Sequence, residues 1–209
     1  MISVFVMVVV CAVWLASKDF VMPTAQPAKT YPAHDEHPNE HVTVALDPYD
    51  MADKASIFSV NFNEVGFMPI LLVITNDGDQ PISLSGMHAQ LVTADRTKLA
   101  AATADDLYRR LSHPSANVNR SPLPIPGKKV KGVVSGKTLE EIQSAQFAAR
   151  AVEPHSTQAG FLFFDVSGIS TPLAGAHFSL TEVRDAGGND LLYFEIPLEK
   201  YLSAPPTSH

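Results

Sequence analysis

Apolar side chains recur at every second position in one short segment after another, and that two-residue period limits what this chain can fold into. In residues 56–62 it puts Phe58, Val60 and Phe62 on one side, and in residues 160–166 it sets Phe161 and Phe163 against Leu162 and Phe164. A helix repeats every 3.6 residues and cannot bury such a set along one face; a pleated strand sends successive side chains to opposite faces and can. The stretch HVTVAL alternates through Val42 and Val44, AHFSLTEV through Phe178 and Leu180, and LLYFEIPL through Leu192, Phe194 and Ile196. In SLSGMHAQLVTAD, Ala89, Leu91 and Thr93 alternate with Gln90 and Val92. GFMPILLVITN is apolar on both sides, as a central strand would be, and Pro69, lacking an N–H, belongs near its start or at a bulge.

Turn chemistry separates most of these segments. NDGDQP and DAGGND offer Gly and Asx residues for tight reversals, and PHST precedes the GFLFFDV strand. Seven or eight short strands with such punctuation predict an all-β, antiparallel sandwich, not alternating strands and helices. The period changes in only two places. In TADDLYRRL, Thr103 is placed as N-cap with Asp106 three residues on, and Leu107 and Leu111 share a face, which predicts a short helix packed on the sheet. TLEEIQSAQF predicts a second one, capped by Thr138. There is no internal repeat.

Flanking segments divide the chain further. The first sixteen residues, MISVFVMVVVCAVWLA, carry no charge, and residues 1–17 read as a hydrophobic signal or anchor helix. Signal peptidase needs small residues at −3 and −1. Cuts after Ala16, Ala25 or Ala28 would put Trp14, Pro23 or Gln26 at −3, and Val10 spoils a lipoprotein box before Cys11. An uncleaved membrane anchor is favoured over a cleaved signal, with the folded part outside the cytoplasm. Residues 18–41, with Pro23, Pro27, Pro32 and Pro38, read as a polar tether, residues 42–202 as the sandwich, and residues 203–209 as a disordered tail. Cys11 is the single cysteine, so the folded part has no disulfide framework and no cysteine zinc site.

Two blocks resemble a known group. PILLVITNDGDQPISLSGMHAQLVTADRTKL with ADDLYRRL, and VEPHSTQAGFLFFDVSG with GGNDLLYFEIPLEKYL, are similar to a family of uncharacterised exported bacterial proteins. In that family an immunoglobulin-like sandwich follows a signal or lipid anchor. The resemblance spans most of residues 31–202 and implies fold and export; it brings no catalytic residues with it.

Few residues suggest chemistry. His34, His37 and His41 lie three and four apart, with Asp35 and Glu40 beside them; on a helix they could hold zinc or copper. Pro38 pushes His37 out of helical backbone, which favours a solvated spacer over a preformed metal cage. Asp47, Asp50 and Asp53, and likewise Asp77 and Asp79, could offer oxygens to calcium, but both sets lack the distal glutamate of a calcium loop and read more simply as turn residues. Residues 113–137 form a long loop with four prolines and five basic residues (Arg120, Lys128, Lys129, Lys131 and Lys137), suited either to solvation or to an anionic polymer or envelope partner. A net charge of −7 argues against a nucleic-acid surface. No G-x-S-x-G elbow, H-E-x-x-H or phosphate-cradling glycine loop occurs, and Glu140 and Glu141 are adjacent on a predicted helix and so diverge. The favoured expectation is a non-enzymatic, envelope-associated binding or structural module. Metal handling by the three histidines, and a hydrolase with a site near His155 or His177, are the alternatives.

Overall fold

The computed structural model describes residues 20–113, 135–191 and 193–205. The apolar segment 1–17, most of the basic loop and the end of the C-terminal tail fall outside the described residues. No helix among the described residues is long and apolar enough to cross a membrane.

Two antiparallel four-stranded sheets form the molecule. The first orders β1 (Ala33–His37), β2 (Val42–Pro48), β3 (Phe67–Asn76) and β8 (Ser156–Asp165) side by side. The second orders β10 (Phe194–Pro197), β9 (His177–Thr181), β5 (His88–Val92) and β6 (Lys98–Ala100). A short pair, β4 (Ile82–Ser83) and β7 (Ala151–Val152), lies beside them.

Side-chain parity explains why the sheets stack. From β3, Met68, Ile70, Leu72 and Ile74 enter a core shared with Val44 and Leu46 of β2, Leu162 and Phe164 of β8, and Phe178, Leu180, Phe194 and Ile196 of the second sheet. The alternate residues, Phe67, Leu71, Val73, Phe161 and Phe163, face the other way into a second core. The first sheet is therefore buried on both faces, which accounts for the doubly apolar GFMPILLVITN. Burying each such side chain is worth about 1.5–3 kcal/mol, so the outer face must be covered.

That cover is helical and irregular. Helix α2 (Ala104–Ser112) supplies Leu107 and Leu111, and α3 (Gly136–Ala145) supplies Ile142 and Ala145. Thr103 and Asp106 make the reciprocal capping box: Thr103 Oγ1 accepts from the Asp106 N–H at 3.2 Å, and Asp106 accepts from the Thr103 N–H at 3.1 Å. Helix α3 begins three residues earlier than its sequence pattern suggests. Ser135, not Thr138, is the N-cap, and its hydroxyl accepts from the Thr138 N–H at 3.2 Å. Within α3 the two adjacent glutamates do part company: Glu140 is exposed, whereas Glu141 is buried and accepts the Ser59 N–H at 2.9 Å.

Two expectations need correction. Residues 56–62 are not a strand but a run of turns and bends ahead of a 3-10 turn (Asn63–Val65). Phe58, Val60 and Phe62 are nonetheless buried together, with Phe58 and Phe62 edge to face at 5.1 Å. Alternation governs burial; it does not by itself provide a hydrogen-bonding neighbour. The second correction is larger, because residues 20–37 of the expected tether pack on the domain. A 3-10 turn (Ala28–Thr30) lies against the first sheet, where the Ala28 N–H donates to Thr75 Oγ1 at 2.9 Å. Ala33–His37 then pairs along its whole length with β2, from Ala33↔Leu46 to His37↔Val42. The sandwich begins at β1.

Both sheet edges are closed against exposure, the usual remedy for unpaired strand edges. At one side Asp35 accepts the Glu195 N–H at 3.0 Å, joining β1 to β10. At the other, Ala101 bridges Phe164, and the Phe147 N–H donates to the Phe161 carbonyl at 3.0 Å. Phe147 crosses so close to β8 that a Cβ at Gly160 would lie 2.4 Å from its Cα; only glycine fits there.

Candidate functional site

Strand β2 directs Val44 and Leu46 into the inter-sheet core, so Asp47 and Tyr49 fall on the opposite, outer face. There the chain makes a short helix, α1 (Ala52–Ala55), which carries Lys54 back over Asp47. The two form an ion pair with each side chain only 8% exposed. The Lys54 ammonium lies 4.8 Å from the Tyr49 ring centroid and 5.2 Å from that of Tyr201, so it is held by a carboxylate and two aromatic rings. Tyr201 comes from the C-terminal helix α4 (Glu199–Leu202), and its hydroxyl donates to Asp50 Oδ1 at 2.7 Å and approaches the Pro48 carbonyl at 3.2 Å.

Residues 21–32 run over this group as a strap. Phe20 stacks on Phe58 at 5.4 Å, and Ala28 is pinned to Thr75, which in turn bonds Thr157 at 2.9 Å. Tyr31 turns its hydroxyl back to accept the Gln26 N–H at 3.2 Å. Between strap, β2 and α1 lies a half-open cavity of about 600 Å³. Val21, Met22, Ile57 and Leu71 make its apolar wall; Tyr31, Asp47, Tyr49, Asp53 and Lys54 make its polar one.

The phenols here are held protonated. Burial pushes the Tyr49 hydroxyl well above the ordinary phenol range, with the charge of Asp47 adding to the effect. Tyr31 is raised by burial, against the hydrogen bond from Gln26, with a further contribution from Asp47. Tyr201 is raised by burial and then by its hydrogen bond to Asp50. These phenols do not ionise near neutral pH; Tyr201 donates its hydrogen bond, Tyr31 accepts one, and Tyr49 and Tyr201 present their rings to Lys54.

The structure separates the three histidines of the sequence. His34 and His37 are three residues apart on a strand and leave opposite faces. His34 donates through Nδ1 to the Tyr31 carbonyl at 2.6 Å. His37, 13% exposed, stacks on Phe194 at 4.0 Å with Nε2 3.6 Å from Asp35, and its buried Nδ1 has no hydrogen-bond partner. His41 sits in the β1–β2 turn at φ 56°. Among the described residues no group of three or more His, Cys, Asp or Glu side chains is disposed to hold a metal ion.

Most acids of the two runs have a partner of their own. Asp47 pairs with Lys54, Asp50 accepts from Tyr201, Asp77 lies 3.8 Å from Lys29, and Asp79 lies 3.0 Å from His155. Exposed His155 has Asp79 beside it at 3.0 Å, and half-buried His177 has Glu195 at 3.6 Å. Of the basic loop, residues 114–134 lie outside the described residues, and Lys137 is on α3.

A second, shallower hollow of about 500 Å³ lies between α2 and β8. Arg110 bonds Asp165 at 2.5 Å and Ser167 Oγ at 2.9 Å, over the Phe67 ring at 5.1 Å. Burial alone would raise the Asp165 carboxyl; the Ser167 hydrogen bonds and then Arg110 outweigh it and hold the group below its ordinary value.

The motif search did not single out Lys54, Tyr31, Tyr49 or Tyr201. The only signal was the acid triplet of DPYDMAD, two of whose members line the cavity beneath the strap. Comparison with protein-family models, with known proteins and with solved structures finds no match to this chain.

Proposed function

We propose that this chain is a non-enzymatic binding module of the bacterial cell envelope, carried outside the cytoplasm behind its apolar N-terminal segment, and that it takes its ligand in the cavity beneath the strap. One observation carries the reading. The one ammonium of its lining, Lys54, is neutralised by Asp47, and the Tyr31 and Tyr49 phenols stay neutral. Such groups recognise a ligand without turning it over, and a concave, mainly apolar pocket with a few convergent polar groups is the ordinary form of a binding site.

The strap wall, Val21 to Gln26, continues directly from the apolar segment 1–16, so an anchor there would keep the pocket close to the membrane. We read the sandwich as immunoglobulin-like in architecture, in keeping with the family resemblance of its strand blocks. In connectivity it has its own character, since β1, β2 and β3 meander within one sheet, unlike the constant-domain order. Fractionating expressing cells and treating them with external protease tests the location. The reading expects the domain in the membrane fraction and cleaved from outside; a soluble domain protected by the cytoplasmic membrane contradicts it.

A further inference from the structure

We infer that the cavity beneath the strap binds an alkylammonium group, the terminal amine of a flexible apolar chain. This rests on the cavity being the ligand site. The lining carries two carboxylates, Asp47 and Asp53, against one ammonium, Lys54. Lys54 is committed to Asp47, which leaves the exposed carboxylate of Asp53 to set the sign of the site.

The molecule already shows how an ammonium is accommodated here. Lys54 holds its own between a carboxylate and the Tyr49 and Tyr201 rings, 4.8 and 5.2 Å away. Tyr31 and Asp53 both line the open cavity and bring the same residue chemistries, an aromatic ring and an acid, to it. The apolar wall of Val21, Met22, Ile57 and Leu71 suits the methylenes that carry an amine, as it suits the stem of any lysine-like chain. An anion would meet an excess of negative charge, and a neutral chain would gain nothing from Asp53.

A free diamine and a peptide lysine carry the same group. The test is therefore a titration of the isotopically labelled full chain, followed by NMR, with four probes: cadaverine, Nα-acetyl-lysine methylamide, butanol and butyrate. The inference expects cadaverine or the lysine amide to shift Tyr31, Asp53 and Ile57. Tighter binding by the first assigns a free diamine, and by the second a lysine side chain. Asp53→Asn, a change at an exposed position, should weaken amine binding about tenfold, and added salt should weaken it further. Amine binding elsewhere, or unchanged in Asp53→Asn, overturns the inference. Butanol or butyrate binding at these residues with no preference for amines also overturns it, while leaving the cavity as a ligand site. If none of the four binds there, both readings fail.

Discussion

Lys54 and Asp47, seven residues apart, form an almost wholly buried ion pair that joins α1 to the outer face of the first sheet. Attraction between two such charges barely exceeds the cost of removing both from water, so the pair contributes little net stability. Breaking it is another matter, because one charge stays behind unpaired. Lys54→Ala should therefore destabilise the domain by about 3 kcal/mol in urea unfolding. Asp47→Leu combined with Lys54→Met should recover most of that loss. A double variant as unstable as the sum of the singles would show that the two side chains are not coupled.

Gly160 gives a purely steric prediction. A methyl group there would lie 2.4 Å from the Phe147 Cα and 2.7 Å from its nitrogen, both backbone atoms with little room to retreat. Gly160→Ala should cost about 2–3 kcal/mol and lower the midpoint of thermal unfolding, despite the better strand propensity of alanine. An unchanged midpoint would mean that residues 146–147 do not cover the β8 edge.

Helix α2 depends on its first turn. Thr103→Ala removes the acceptor for the Asp106 N–H and should cost about 1 kcal/mol, measured by urea unfolding. Leu107→Ala, which opens the outer core itself, should cost more, about 2–4 kcal/mol.

Acid should weaken the fold in a defined window. Asp106 is held below its ordinary carboxyl value by the Thr103 side-chain and backbone hydrogen bonds, and Asp165 by Ser167 and Arg110 against its burial. A carboxylate depressed in the folded state contributes stability above its unfolded value, 3.8 here, and loses it as pH falls through the lower folded value. The contribution of these two groups should thus be fully present and constant between about pH 5 and 7 and be lost as pH falls below about 4. In Thr103→Ala and Arg110→Met the drop should be shallower.

Much of this architecture is legible in the chain, and the exceptions have physical causes. The Phe161–Phe164 block announces a strand buried on both faces, and Thr103 with Asp106 announces a helix start, because in each the local pattern coincides with the final environment. Residues 33–37 read as tether since AHDEH has one small apolar residue and four polar ones. Its strand state is imposed by pairing with β2, a contact no local pattern records. Residues 56–62 show the reverse: the alternation correctly foretells which side chains are buried, but the segment packs over the sheet without a partner strand. The cavity was illegible for a similar reason. Tyr31, Lys54 and Leu71 come from three separate segments and line one cavity only in the folded domain.

The central structural claim is that residues 28–37, His34 and His37 included, belong to the folded domain, with Thr30, Tyr31 and Pro32 lining the cavity. Amide hydrogen exchange measured residue by residue tests it most directly. The amides of Ala28 and of β1 should exchange at least about a hundredfold more slowly than an unstructured chain of the same sequence. Exchange at the unstructured rate throughout residues 28–37, with β2 and β3 still protected, would contradict the account and restore a free tether.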